Sequence, residues 1–405
     1  MNFCFSVVAL QNDGTGQGHL PFARADVYPN FDRRNLTCMN LNIKPRCLLG
    51  PGPSNIHPRV LQAMSYPLVG HLDPQFLDLM TGIQRKLRPV FQTENELTMI
   101  LSGTGMAGME AAFANFVEPG DSVLICVNGF FGERMVDLAR RYGAEVCRLD
   151  RPWGEIFTLE DIRTALAEKP AKLVAIVHGE TSTGALQPMA GIAELVHAQG
   201  GLLIMDCVTT LGGVPVDVDA WGVDVAYSGS QKCVGVPSGV APITVSPHAR
   251  AVLANRKSKV SNFYLDLSLL EKYWGKERAY HHTAPINLYY AFYEGLCLIE
   301  EEGLQARWAR HQRNAQALWM GLENLGLKLV VPASFRLPSL TTVYVPEGVQ
   351  DMDVRRTLLN DYNIEISGGF GIFASKIWRI GLMGYSSQTE NVTLLLGALR
   401  EILRK

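Results

Sequence analysis

The chain has 405 residues, which is enough for two or three domains of roughly 150 residues each. Its 37 Lys and Arg against 39 Asp and Glu give a net charge of −2, so the basic excess of a nucleic-acid-binding protein is absent. No apolar stretch approaches the ~18 residues that a membrane-spanning helix needs. The eight cysteines form no CxxC pair and no zinc-ligand spacing, which is typical of a reducing compartment. We expect a globular, cytoplasmic protein with no nucleic-acid, membrane or metal partner.

The first 45 residues differ from the rest of the chain. Residues 1–10 are briefly apolar, but they lack the positive start and the cleavage site of a targeting signal. Residues 11–42 are rich in Gly, Asn, Asp and Pro and show neither strand nor helix periodicity. We interpret residues 1–45 as a loosely structured extension. A weak targeting sequence and a natural start at Met39 are the alternatives.

From Leu48 onward, predicted strands alternate with predicted helices. Strand-like apolar runs occur at 97–101, 122–127, 145–149, 173–177, 202–205, 223–227 and 240–245. Helical stretches lie between them, one ending at Phe116 and others covering 132–142 and 192–199. This alternation predicts an α/β fold built from βαβ units, with a mostly parallel sheet covered on both faces. We expect this large domain to span residues 46–302.

The pattern changes after Pro285. Two long helical segments, 287–303 and 305–325, follow each other almost directly. Short β-rich runs and further helices come next, at 327–331, 340–345, 351–362, 377–382 and in a last helix that ends at Arg404. The change in rhythm predicts a smaller α+β domain over residues 303–405.

A glycine-rich turn follows the first strand of the large domain. Gly103–Gly108 fits the GxGxxG pattern between a strand and a helix. A dinucleotide site also requires an acid at the end of the next strand, but that strand ends in Val127 and Asn128. We therefore disfavour a nicotinamide or flavin cofactor. The turn still opens a helix, and the free N–H groups of a helix N-terminus suit a phosphate.

Two other residues are predicted to lie at the same edge of the sheet. Asp206 ends one apolar strand, and Lys232 follows another through the polar stretch Ser228–Gln231. The carboxyl ends of parallel strands meet at one edge, so the turn at 103–106, Asp206 and Lys232 can come together. Taken alone, an aspartate at a strand end is most often a cap, a glycine-rich turn is most often only a turn, and a loop lysine is most often solvated. Together they supply the phosphate cradle, the acid and the amine that pyridoxal phosphate needs.

The chain resembles a known family, the alanine–glyoxylate and serine–pyruvate aminotransferases, which are class V members of the fold-type I pyridoxal-phosphate enzymes. The resemblance runs from about Leu48 to the C-terminus. The stretches that carry it are 49–55 (LGPGPSN), 102–105 (SGTG), 178–184 (HGETSTG), 228–232 (SGSQK), 280–283 (YHHT) and 379–382 (RIGL). It implies a seven-stranded sheet and a homodimer with shared active sites. It also implies transfer of an amino group from alanine or serine to glyoxylate or pyruvate in two ping-pong half-reactions.

The resemblance also implies roles for single residues. Lys232 would hold the cofactor through a Schiff base and shuttle a proton, and Asp206 would keep the pyridine nitrogen protonated. Val208 and Phe131 would cover the two faces of the ring. Further cofactor contacts would come from Thr104, Gly105, Met106, Thr181 and Gln231, with Tyr280 and Thr283 reaching the phosphate of the other subunit. Substrate would be bound by Arg379, through its carboxylate, beside Gly50 and Gly52.

The sequence departs from the family at two of these positions. Animal members often carry His where this chain has Met106, and Trp where it has Phe131. An aromatic ring is kept in the second case, so stacking should survive. The chain ends in Leu403-Arg404-Lys405, which is not a peroxisomal SKL-type signal. The peroxisomal setting of animal members is therefore not expected here.

Several alternatives belong to the same or to other classes. Within the cofactor class they are a 3-hydroxykynurenine transaminase, a serine–glyoxylate aminotransferase or a cysteine desulfurase-like enzyme. Outside it, a non-catalytic scaffold is disfavoured because the chain keeps Lys232, Asp206 and Arg379 together. His281 and His282 invite a metal interpretation, but neighbours in an extended segment point to opposite faces and would not chelate together.

Overall fold

The computed structural model describes residues 43–404, so the predicted extension lies almost wholly outside the described residues. The strands of the described residues are β1 (Cys47–Leu48), β2 (Leu97–Ser102), β3 (Ser122–Val127), β4 (Glu145–Asp150), β5 (Leu173–Val177), β6 (Gly179–Glu180), β7 (Ala185–Leu186), β8 (Leu202–Asp206), β9 (Val225–Tyr227), β10 (Val240–Val245), β11 (Leu340–Tyr344), β12 (Ile364–Glu365), β13 (Ser367–Gly368) and β14 (Ile377–Gly381).

The helices are α1 (Pro58–Ala63), α2 (Pro74–Phe91), α3 (Gly105–Phe116), α4 (Phe130–Arg141), α5 (Leu159–Glu168), α6 (Ile192–His197), α7 (Pro247–Ala254), α8 (Leu267–Trp274), α9 (Ile286–Glu302), α10 (Leu304–Asn324), α11 (Asp351–Asp361) and α12 (Thr389–Leu403). Within residues 43–404, none of them is both long enough and apolar enough to cross a membrane.

A seven-stranded sheet forms the centre of the larger part, in the order β2-β10-β9-β8-β5-β3-β4. Six strands share one direction, and β10 alone is antiparallel to its neighbours β2 and β9. Every residue of β2, β5, β8, β9 and β10 is buried, because helices cover both faces of such a sheet. The predicted α/β class and the mostly parallel sheet are confirmed. Burial on both faces also removes any sequence signal of strand direction, so the reversal of β10 was not predicted.

A second hydrophobic core lies in the C-terminal part. It includes apolar side chains of α10, α11 and α12 and of the antiparallel sheet β11-β14-β13. The chain enters this core at its N-terminal end as well, because β1 pairs with β12 and Leu49 packs among these side chains. From there, Gly50–Pro53 crosses to the large sheet. The domain boundary at residues 302 and 303 stays a prediction.

The structure contains helices that were not predicted, among them α1, α2, α5, α7 and α8, and one predicted strand is not formed. The 18-residue helix α2 was not predicted, since it carries Pro89 in its interior. Its start has a readable signal, because the Asp73 side chain accepts a hydrogen bond from Gln75 N and Pro74 occupies the first helical position. The strand predicted over 327–331 is only a bridge between Leu329 and Val343, since a 3-10 turn follows at once.

Candidate active site

The side chain of Lys232 is buried at the carboxyl edge of the central sheet, shortly after β9. Its Nζ donates a hydrogen bond to the carbonyl oxygen of Pro51, in the segment that crosses between the two cores. Burial lowers the pKa of this amine to about 8; the charge of Arg379 lowers it further, and that of Asp206 opposes the shift. At neutral pH, Lys232 is therefore much closer to its uncharged, nucleophilic form than an ordinary lysine.

Gly50 and Gly52 lie in this crossing segment and allow a very close approach. A Cβ atom on Gly52 would lie 2.6 Å from Lys232 Nζ, and the φ angle of this residue is +106°, so both space and backbone favour glycine. Gly50 is held against β14, where Gly381 N donates to Leu49 O over 2.8 Å. The segment thus brings the lysine and the strand that carries Arg379 to one place.

Asp206 ends β8, next to Tyr227 of β9. Its Oδ1 accepts a hydrogen bond from Val208 N at 2.9 Å, and its Oδ2 accepts one from the Tyr227 hydroxyl at 3.0 Å. Burial raises the pKa of this carboxyl to about 6, and the two hydrogen bonds oppose the shift. Each carboxylate oxygen has a further lone pair, so Asp206 can accept another hydrogen bond from a cationic ring nitrogen.

The glycine-rich turn opens α3, as predicted. Thr104 is the N-cap residue and makes no side-chain capping bond, so its hydroxyl does not occupy the first N–H groups of the helix. A Cβ on Gly105 would lie 3.3 Å from the Cα of Gly229, which shows how closely the turn approaches the loop before Lys232. In that loop, Gln231 Oε1 is buried and has no hydrogen-bond partner among the described residues. Unused polar groups therefore face a confined space at the helix N-terminus.

Glu180 is a buried residue of the site to which the sequence analysis gave no role. It accepts hydrogen bonds from Phe131 N at 3.2 Å and from the backbone and hydroxyl of Ser182 at 2.9 and 2.6 Å. A Cβ on Gly129 would lie 2.3 Å from its Cγ, so glycine leaves room for this carboxyl. Burial raises the pKa of Glu180 to about 7. The contacts fix the start of α4, which carries Phe131, to the loop that carries Thr181.

Arg379 lies in β14 and is only 3% exposed. Its Nε donates to Gly368 O at 2.7 Å, and its Nη1 lies 3.5 Å from Thr181 O. Its guanidinium stacks 3.9 Å above the ring of Phe370. Burial lowers its pKa to about 10, although the nearby charge of Glu180 raises it. No residue of the part described by the structure forms an ion pair with it, so a buried cation is left for an anionic ligand.

Arg134 is a second arginine that the sequence analysis did not single out. It lies 4.9 Å from the ring of Phe130 and 5.7 Å from that of Phe131, and its Nη1 lies 3.3 Å from Met106 Sδ. The ring of Phe130 in turn packs against that of Phe370 at 4.9 Å. These contacts place Met106 and Phe131 together and connect them to the aromatic ring under Arg379. Arg134 follows Phe131 by three residues, and residues with this spacing lie on the same face of a helix, so the sequence could have indicated this contact.

The segment with Tyr280 and Thr283 is exposed. Tyr280 is 62% exposed, and its ring packs against that of His71 at 5.2 Å. The rings of His281 and His282 touch, with their Nδ1 atoms 2.9 Å apart. The expectation that these two neighbours point away from each other was wrong, because the segment does not form a regular strand.

The fold and the buried cluster define an α/β protein whose site lies at the carboxyl edge of a mostly parallel sheet, between two cores. The family model for class V aminotransferases matches residues 47–394. The chain belongs to this family, which confirms the resemblance read from the sequence and makes the protein an aminotransferase. Membership of the family implies pyridoxal phosphate as the cofactor.

Individual relatives align with about nine-tenths of this chain. Rat alanine–glyoxylate aminotransferase is 44% identical over 90% of this chain and 89% of its own length. The (S)-ureidoglycine–glyoxylate transaminase of Bacillus subtilis is 42% identical over 88% of this chain and 90% of its own length. Among solved structures, an alanine–glyoxylate aminotransferase from Nostoc sp. has a TM-score of 0.90 and 56% identity, covering 92% of this chain and 99% of that one.

Proposed function

We propose that the protein is a pyridoxal-phosphate-dependent aminotransferase that passes the amino group of alanine or serine to glyoxylate or pyruvate. The observation that carries this proposal is the buried Arg379, which lacks a carboxylate partner within residues 43–404, at a site that also contains the buried amine of Lys232. A guanidinium matches the carboxylate that every amino acid and 2-oxo acid presents. The rat and Bacillus relatives both have glyoxylate in their names, which supports glyoxylate as the acceptor.

The residues present fit the proposed cofactor. The N-terminus of α3, from Thr104 to Met106, and the side-chain N–H groups of Gln231 would donate hydrogen bonds to its phosphate. Phe131 and Val208 would cover the faces of its ring, and Thr181 would lie near the ring oxygen. When bound, pyridoxal phosphate acts as an electron sink for a carbanion at the substrate Cα.

Three side chains of the chain would then carry the reaction. Lys232 Nζ, with its lowered pKa, would take the proton from the substrate Cα. In the reverse reaction it would donate a proton to the same carbon. Asp206, which is ionised above its pKa of about 6, would hold a proton on the ring nitrogen through a free lone pair of its carboxylate. Arg379, held by Gly368 O and the ring of Phe370, would orient the substrate by its carboxylate beside the segment with Gly50 and Gly52. Glu180 keeps Phe131 and Thr181 in place.

The identity of the amino donor is less well supported than that of the acceptor, because the named donors of the two relatives differ. The Bacillus relative is named for ureidoglycine, so an (S)-ureidoglycine–glyoxylate transaminase is the alternative that a comparison favours. Serine–glyoxylate and 3-hydroxykynurenine transamination are the alternatives that the family resemblance leaves. A panel of amino donors separates all of them.

We also propose a homodimer with shared active sites in a reducing compartment such as the cytoplasm. Large exposed side chains lie in and beside the Tyr280 segment: Phe263 and Tyr264 pack against His281, and the exposed Tyr280 packs against His71. Exposed aromatic groups that cluster around one segment are typical of a protein interface. The six cysteines of the described residues are free thiols, which fits a reducing compartment.

Mixed dimers test the shared site. We expect Tyr280→Phe and Thr283→Ala to weaken cofactor retention when introduced together, because a phosphate needs donors beyond one helix terminus. A chain with Lys232→Ala but with both hydroxyls should complete the site of a partner that lacks them, giving one working site per mixed dimer. Activity and bound cofactor of the purified mixed dimer measure this. If each chain behaves in the mixture as it does alone, the phosphate site is built within one subunit.

The lowered pKa of Lys232 predicts a pH dependence in the cofactor-free protein. Only the uncharged amine reacts with an acylating reagent, so modification of Lys232 should rise with pH around a midpoint near 8, well below that of a surface lysine. Asp206→Asn removes a charge that raises this pKa and should lower the midpoint. Arg379→Ala removes a charge that lowers it and should raise the midpoint. Mass spectrometry of the labelled peptide measures all three; identical midpoints would contradict the assigned electrostatics.

A further inference from the structure

A second cluster of chemically active side chains lies at the amino end of the central sheet. His197 is the last residue of α6, Asp224 precedes β9, and His248 is the second residue of α7. His197 Nε2 lies 2.7 Å from Asp224 Oδ2, and His248 Nδ1 lies 3.1 Å from Asp224 Oδ1. The three ligand atoms all lie within 4.8 Å of one another.

This cluster is separate from the candidate active site. Leu203, near the start of β8, donates its N–H to Asp224 Oδ2 at 2.9 Å, whereas Asp206 at the other end of the same strand belongs to the active site. Three residues of strand separate them by about 10 Å. Likewise, Asp224 comes before β9 and Lys232 comes after it.

The carboxylate of the cluster is already fixed in place. Asp224 is 2% exposed, and besides Leu203 N it accepts a hydrogen bond from Ser246 Oγ at 2.9 Å. The two histidines are less enclosed than the carboxylate, because their side chains are 37% and 47% exposed. Their rings are nearly perpendicular, at 87°, with centroids 5.4 Å apart. A fixed, buried anion therefore lies between two imidazoles that have room to adjust.

The surroundings carry an excess of negative charge. The cluster lines a groove of about 820 Å³, which also contains Glu94, Glu96 and Asp219. Arg250 lies in the same groove, but it is paired with Glu96 at 3.2 Å and also with Glu271. A groove of this charge attracts cations.

We propose that His197, Asp224 and His248 bind a divalent transition-metal cation, with Zn²⁺ as the best match. Two imidazoles and one carboxylate are ligands that zinc prefers, and a water in the open groove would complete four-coordination. Tetrahedral bonds of about 2.0–2.2 Å place ligand atoms about 3.3 Å apart. The observed separations of 2.7 to 4.8 Å bracket this value, so small ring shifts suffice. The bound ion would connect α6, α7 and the start of β9.

Spacing along the sequence hides this site. The ligands are 224 − 197 = 27 and 248 − 224 = 24 residues apart and lie on three elements, so no short metal-binding pattern exists. Without metal, the same geometry is explained by two imidazoles that donate hydrogen bonds to a buried carboxylate. The experiment distinguishes these two cases.

Calorimetric titration of chelator-treated holoenzyme with Zn²⁺ tests the proposal. We expect one equivalent per chain to bind, and His197→Gln and His248→Gln each to weaken this binding about 100-fold or more, since loss of an outer contact alone costs 10- to 100-fold. His57→Gln, which removes a histidine elsewhere, is the matched control and should bind like the wild type. Zn²⁺ should raise the melting temperature of the wild type but not that of the double variant H197Q/H248Q.

Both histidine variants should keep wild-type transamination, because neither residue touches the candidate active site. If the wild type binds no Zn²⁺ at concentrations up to about 100 μM, the proposal is overturned. It is equally overturned if H197Q/H248Q binds Zn²⁺ with the stoichiometry and affinity of the wild type. In either case, hydrogen bonds alone explain the cluster.

Discussion

Replacement of Lys232 by alanine is expected to reduce transamination by at least about 10²- to 10⁴-fold, the usual contribution of a positioned proton-transfer group. The loss should be larger still if the same amine also holds the cofactor covalently. The physical reason is the buried position of Nζ and its lowered pKa, which no other group at this edge of the sheet reproduces among the described residues. Steady-state rates with alanine and glyoxylate, and borohydride reduction followed by peptide mapping, are the measurements.

A matched control keeps this result interpretable. Lys276→Ala removes an exposed lysine and should leave both readouts unchanged. The Lys232→Ala protein should fold, as seen by circular dichroism and melting temperature, and should still bind cofactor without a bond that borohydride can fix. If borohydride labels the variant as efficiently as the parent, another lysine holds the cofactor and the assignment is wrong.

The second large effect is expected at Arg379. A hydrogen bond to a charged group contributes about 1.5–3 kcal/mol, so Arg379→Ala should lower kcat/KM by about 10- to 100-fold or more. The loss should fall on amino acid and 2-oxo acid alike, since both present a carboxylate. Cofactor affinity, measured by equilibrium dialysis, should change little. Arg379→Lys keeps the charge but loses the planar fork, so its kcat/KM should lie between that of the wild type and that of Arg379→Ala.

Arg356 provides the control for this experiment, because it is an exposed arginine of the same part of the chain. Its replacement by alanine should leave kcat/KM unchanged. An unchanged KM for both substrates in Arg379→Ala would remove this residue from the site. The buried guanidinium would then be explained by its backbone contacts and by the ring of Phe370.

Much of the fold could be predicted from the sequence because buried strands are uninterrupted apolar runs. The strands predicted at 122–127, 173–177 and 240–245 coincide with β3, β5 and β10. The close approach of the turn at 103–106 to the loop before Lys232 also followed from simple topology, since carboxyl ends of parallel strands share an edge. These features depend on local pattern and chain direction alone.

Other features depend on packing that a sequence does not display. Glu180 stood within the stretch 178–184, but its role comes from the hydrogen bond with Phe131 N, 49 residues away. The contact between His281 and His282 required an irregular backbone, and the cluster around Asp224 required three separate elements to converge. Long-range contacts of this kind follow only from the assembled fold.

Half-reactions of the purified holoenzyme test the central proposal most directly. One amino acid at a time is added in the absence of any 2-oxo acid, and the absorption spectrum of the cofactor is followed. We predict that alanine and serine each convert the cofactor to its amine form and that glyoxylate restores the aldehyde form. Conversion by (S)-ureidoglycine but not by alanine or serine would contradict the proposed donor. A spectrum that no amino acid changes would contradict the proposed aminotransferase mechanism itself.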